Sequence, residues 1–179
     1  MPENAADIVG LGNPSGNVRV YIANRPPSNK YQQLHTCEYL VPGEVKRVAD
    51  ETGNHWRKIF NVFAKLLFKL NSQGLSDWRD LRDQQLLQPG CDHCLLFSMP
   101  NRVAEVKQYP DKGIGLVMGK GYANELIQQG RLPSDIEWLD DYFAVHHQQR
   151  LIVCPYFDYR QLSDVRIDRL VSLLQQLTD

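Results

Sequence analysis

Four segments of this 179-residue chain carry the side chains best suited to chemistry: Asn24 to Tyr31, Pro100 to Arg102, Gly119 to Gly121 and Pro155 to Gln161. Within them, Asn24, Arg25, Tyr31, Asn101, Arg102, Lys120, Tyr156 and Asp158 are the candidate ligand contacts. Amides, guanidinium groups and phenols suit recognition of a planar polar ligand or a phosphate by hydrogen bonding and stacking. Prolines and asparagines also serve plain turns, so composition alone leaves an unliganded reading open. Gly119-Lys120-Gly121 is the sharpest of the four. A glycine turn running into a helix leaves unpaired backbone N–H groups that can hold an anion. The turn lacks the spacing and the Ser/Thr of a Walker loop, and the chain has no GxGxxG run, so nucleoside triphosphate hydrolysis is unsupported.

Other constellations are weaker. Cys91-Asp92-His93-Cys94 has two thiols at a spacing that can share a metal, but a structural zinc site needs two further ligands. Only the distant His35 and Cys37 offer themselves, and Cys94 opens an apolar run in which a thiol acts as a small hydrophobe. No metal and no cofactor are expected. His146 and His147 end a segment that reads as helix, where imidazoles favour the negative end of the helix dipole. No GxSxG or HExxH motif is present, and no catalytic residue can be assigned.

The elements that must position these loops follow from periodicity. Val18 to Ala23 is β-branched and aromatic and ends at Pro26-Pro27, as a strand would. Cys94 to Met99, Ile114 to Met118 and Leu151 to Cys154 lack polar alternation, the mark of strands covered on both faces. Between Thr52 and Leu70, Trp56, Ile59, Phe60, Phe63, Leu66, Leu67 and Leu70 recur at helical spacing, with Thr52 or Asn54 as the cap. Ser76 to Gln88, Tyr122 to Gln129, Ser134 to His147 (opened by a Ser134/Glu137 capping box) and a segment holding Ile167 to Leu177 read as further helices. Asp7 to Asn17 reads as a loop. The expectation is a single α/β domain, a three-layer sandwich around a mostly parallel sheet of about four strands. Ligands in such sheets bind outside the carboxyl ends of the strands, where all four segments above would lie.

Composition narrows the class. Lys plus Arg number 20 against 21 Asp plus Glu, a formal charge of −1, which disfavours a general nucleic-acid coat protein. An apolar fraction of 42 % and a charged fraction of 23 % are those of a globular domain. The opening residues lack the basic and apolar regions of a secretory signal, and no stretch reads as a membrane span. A cytoplasmic location with Cys37, Cys91, Cys94 and Cys154 reduced is therefore expected.

The order of elements resembles the uracil-DNA glycosylase superfamily. The pieces that correspond are Val18 to Pro27, Gly53 to Leu70, Cys94 to Arg102, Ile114 to Leu126 and Leu151 to Leu177. The resemblance implies a shared fold, with Asn101 at the place of a base-reading Asn and Tyr31 or Tyr156 stacking on a flipped base. Asn24-Arg25-Pro26-Pro27-Ser28 has no water-activating acid, and Cys154-Pro155-Tyr156-Phe157 keeps only the proline of a His-Pro-Ser run. What is implied is thus a modified pocket rather than ordinary glycosylase activity. Two functional classes follow: a pocket for a nucleobase, nucleotide or short nucleic acid, and a protein-partner surface built on the loops or around Trp138, Tyr142 and Phe143. In both, Arg25→Ala and Tyr156→Ala are expected to leave folding nearly intact.

Overall fold

A computed structural model of the chain describes residues 7–100 and 113–178. Candidates Asn101 and Arg102 lie outside the described residues. The described residues form eight strands in one mixed sheet and six helices. In chain order these are β1 (Gly10–Gly12), β2 (Val18–Tyr21), α1 (Asn29–Gln32), β3 (Cys37–Glu38), α2 (Glu44–Thr52), α3 (Asn54–Leu70) and α4 (Trp78–Gln84). There follow β4 (His93–Leu96), β5 (Ile114–Met118), α5 (Lys120–Gln128), β6 (Glu137–Trp138), β7 (Ala144–His146), β8 (Leu151–Cys154) and α6 (Asp164–Thr178).

The sheet order is β3-β1-β4-β2-β5-β8-β7-β6. Its centre, β4-β2-β5-β8, is parallel throughout and consists of the four strands read from sequence. The expected sheet of about four strands is nonetheless too small, because β1 joins β4 antiparallel and a β6–β7 hairpin joins β8 antiparallel. These added strands are two or three residues long, below the length at which periodicity is readable. β1 falls inside the segment expected to be loop, and its Gly-Leu-Gly composition explains why. A Cβ on Gly10 would collide with the Leu95 carbonyl oxygen, so the close approach to β4 requires glycine.

The segment 134–147 is the clearest correction: it forms the β6–β7 hairpin, not a helix. Asp140 Oδ1 accepts the backbone N–H of both Tyr142 (2.7 Å) and Phe143 (2.8 Å), closing the turn. This local side-chain bond outcompetes the capping box. His146 is consequently a buried strand residue, with Nε2 3.0 Å from Asp135, rather than a helix-end imidazole.

Helix α3 begins at Asn54 with Gly53 at its N-cap, in place of the expected Thr52 or Asn54. Gly53, with φ 92°, separates it from α2, and no side chain caps it. Asn54 instead accepts from the Arg57 side chain at 2.7 Å. Helix α4 does have its cap, since Asp77 accepts from the Arg79 N–H at 2.7 Å. Two apolar clusters fill the molecule. Val20, Leu95, Leu116 and Ile152 meet α2, α3, α4 and α6 on one face of the sheet, while Tyr21, Cys94, Val117 and Val153 meet Ala123 and Leu126 of α5 on the other. All four cysteines are free thiols. Among the described residues no helix is long and apolar enough to cross a membrane.

Candidate functional site

The chain leaves β2 for its neighbour β4 on one side and then builds β5 on the other, so the connections that follow β2 and β5 diverge to opposite faces of the sheet. That divergence opens a crevice in parallel sheets. Three polar side chains meet there. Tyr156 follows β8, Asn24 follows β2 and His55 lies in the first turn of α3. The Tyr156 hydroxyl donates to Asn24 Oδ1 at 2.9 Å and lies 2.9 Å from His55 Nε2. A phenol has one proton, so when it is given to Asn24 the imidazole must be the donor, and the chain runs His55 to Tyr156 to Asn24. Burial, and then the Asp158 carboxylate, hold the Tyr156 phenol above its ordinary range against the opposing bond to Asn24. It is a neutral hydroxyl at physiological pH.

Gly119 ends β5 at φ 100° and caps α5 without a side chain. A Cβ there would stand 4.0 Å from the Tyr156 ring, and the positive φ makes any other residue strained. The first N–H groups of α5 have no intrahelical partners and favour negative charge. Beside this turn lies a cleft of about 220 Å³ lined by Gly119, Lys120, Asp141, Tyr142, Pro155, Tyr156, Arg160, Gln161 and Arg166. Lys120, Arg160 and Arg166 outnumber Asp141, giving the cleft a positive field. All three cations lie against rings: Arg166 sits 3.7 Å from the centroid of Tyr142, Lys120 4.7 Å from that of Trp138 and Arg160 5.7 Å from that of Tyr159.

Of the expected contacts, Asn24, Lys120 and Tyr156 come together here. Asp158 lies next to them but accepts from the Arg160 N–H (2.8 Å) and pairs with Lys58 (3.5 Å). The Arg160 N–H, then Lys58, hold its carboxyl below the usual range despite partial desolvation, so it is an acceptor and not a proton donor. Arg25 and Tyr31 are used differently. Arg25 Nη1 donates to the carbonyls of Tyr31 (2.9 Å), Gln32 (3.1 Å) and Leu34 (3.1 Å), and its guanidinium lies over Phe97. The buried Tyr31 hydroxyl donates to Glu44 at 2.5 Å. Both residues hold the loop after β2 in shape, and Arg25→Ala is accordingly not a silent substitution.

Residues that the sequence reading missed are His55, Asp141 and Arg166. Each sits on the polar side of a helix or in a hairpin turn, where nothing local distinguishes it from solvated surface. The Cys91/Cys94 pair is committed to packing. Cys91 Sγ donates to the His93 carbonyl, and His93 Nε2 accepts the Leu87 N–H at 2.9 Å. Among the described residues no group of three or more His, Cys, Asp or Glu is placed to hold a metal. Cys154, at the edge of the site, is buried, which pushes its thiol up to about 12 and keeps it protonated. The arrangement can therefore bind an anion and stack and hydrogen-bond a ring. No curated protein and no solved structure matches the chain. A family model does match, over residues 9–175, and the chain belongs to that family, a family of unknown function (DUF6942).

Proposed function

We propose that the cleft beside Tyr156 binds a planar anionic ligand carrying a nucleobase, either a nucleotide or a short nucleic-acid segment. The observation that carries this reading is the meeting of three cations (Lys120, Arg160 and Arg166) with Tyr142 and Tyr156 around one cleft at the carboxyl edge of the parallel strands. The cations and the uncapped start of α5 take phosphate, and the rings take the base. Asn24 and the neutral Tyr156 hydroxyl supply hydrogen bonds for the base edge. In the glycosylase-like reading of the fold, Tyr156 is the stacking residue, since Tyr31 is engaged with Glu44. Bond cleavage is not part of the proposal: Asp158, the carboxylate next to Tyr156, is engaged by the Arg160 N–H and by Lys58.

A protein-partner surface is the second reading. It draws on the exposure of Tyr142, Tyr159 and Val165, at 44, 51 and 78 %. A thermal-shift screen of the full chain against AMP, uracil, inorganic phosphate and a short thymidine oligonucleotide separates the two. At about a hundred times its Kd, a ligand raises the midpoint by roughly 5–10 °C for a chain of this size. AMP or the oligonucleotide should do so, and Arg160→Ala, binding roughly tenfold more weakly, should about halve the shift. Silence from every compound, or shifts indifferent to Arg160, would reject the nucleotide reading in favour of the second.

A further inference from the structure

A larger cleft, of about 400 Å³, lies between α2, α3 and α4, and the function proposed above does not use it. Val45 and Ala49 of α2 and Phe60 of α3 contribute its apolar lining. Its charged lining consists of Lys46, Arg57 and Arg82 with Asp50 and Asp83, three cations against two acids, a net of +1. The two guanidinium groups are already oriented. Arg57 donates to Asn54 (2.7 Å) and Asp50 (3.1 Å), and Arg82 donates twice to Asp83 (2.8 and 3.2 Å) and once to Asn61 (2.9 Å). These bonds fix each planar fork without using all five of its N–H donors. Little side-chain entropy is then lost when a further acceptor arrives.

We infer that this cleft is a binding site for a small organic monocarboxylate, its carboxylate on Arg57 and Arg82 and its apolar body against Val45, Ala49 and Phe60. The net charge of +1 suits one negative charge, and planar guanidinium groups match a carboxylate in geometry. The volume falls in the range of small-molecule sites and is too small for a folded partner.

The test uses benzoate as the probe and benzamide as its neutral counterpart, followed by amide NMR on the full chain. Benzoate should bind saturably with a Kd of about 1 mM, the range expected of so small a ligand. Its shifts should fall on Gly43 to Asp50 and Arg57 to Asn61, and benzamide should bind roughly tenfold more weakly or not at all. Arg57→Gln, at an exposed position, should keep the wild-type spectrum elsewhere and lose roughly tenfold in benzoate affinity, and Arg57→Lys should recover part of it. Arg82→Gln should behave as Arg57→Gln does. Equal binding of benzoate and benzamide, shifts located elsewhere, or affinity unchanged in both Gln variants would overturn the assignment. So would the absence of saturation up to about 10 mM.

Discussion

The loops after β2 and β8 contain the same residue types, an arginine and tyrosines with prolines, yet they use them in opposite ways. After β2, Arg25 reaches back to three carbonyls of its own segment, and Tyr31 is buried against Glu44. After β8, Tyr156 and Arg160 line the cleft, and Tyr156 makes its bonds across the sheet to Asn24 and across the layer to His55. The difference is one of geometry. A long excursion from Asn24 to Leu34 has carbonyls of its own to satisfy, and an internal cation satisfies several at once. The connection after β8 is closed by its own turn, for Asp158 accepts the Arg160 N–H, and Tyr156 and Arg160 are left to line the cleft.

The contrast can be broken most readily at Arg25. Arg25→Ala removes three charge-assisted bonds, two of them partly buried, and should cost about 2–4 kcal/mol in urea unfolding. A cost within about 0.5 kcal/mol would place Arg25 on the functional side instead. Acid comes next. Burial lowers His93 to about 4, from 6.5 in the unfolded chain. Its contribution is fully present above pH 6.5, because the unfolded state binds the proton first, and it is lost as pH falls toward 4. About 3 kcal/mol of stability should disappear over that window, and His93→Gln should flatten the profile. His93 begins β4, at the end of the strand remote from the cleft, so ligand binding by the folded protein should not follow the same titration.

Smaller effects should sharpen the comparison. Tyr156→Phe removes the hydroxyl bonded to Asn24 and His55 and should cost about 1 kcal/mol, with a loss of ligand affinity visible in the same preparation. Arg160→Ala, at an exposed position, should change stability by no more than about 0.5 kcal/mol while weakening nucleotide binding roughly tenfold. A larger stability loss from Arg160→Ala than from Arg25→Ala would reverse the roles assigned to the two loops.

The parallel core was legible because its strands are buried on both faces and so read as unbroken apolar runs, Leu151 to Cys154 being the plainest. Helix α3 was legible for its stripe from Trp56 to Leu67. The added strands were not, since Gly10–Gly12 and Glu137–Trp138 owe their conformation to neighbours rather than to propensity. Helix α2 was missed because only Val45, Val48 and Ala49 and the bonded Glu44 turn inward. For the candidate site, the rule about carboxyl ends pointed to Asn24, Lys120 and Tyr156, which lie together in the structure. It could not tell that Arg25 and Tyr31 bond within their own layer, because partners such as the Leu34 carbonyl and Glu44 have no sequence signature. His55 and Arg166 needed the packing of α3 and α6 against the sheet to be seen at all.

The most direct test is a single titration of AMP into wild-type protein, Arg160→Ala and Arg25→Ala, each at a temperature where it is folded. If the site is the β5–β8 cleft, wild type and Arg25→Ala bind alike per folded molecule, and Arg160→Ala binds roughly tenfold more weakly. Binding lost in Arg25→Ala and retained in Arg160→Ala would contradict that placement and move the site to the loop after β2.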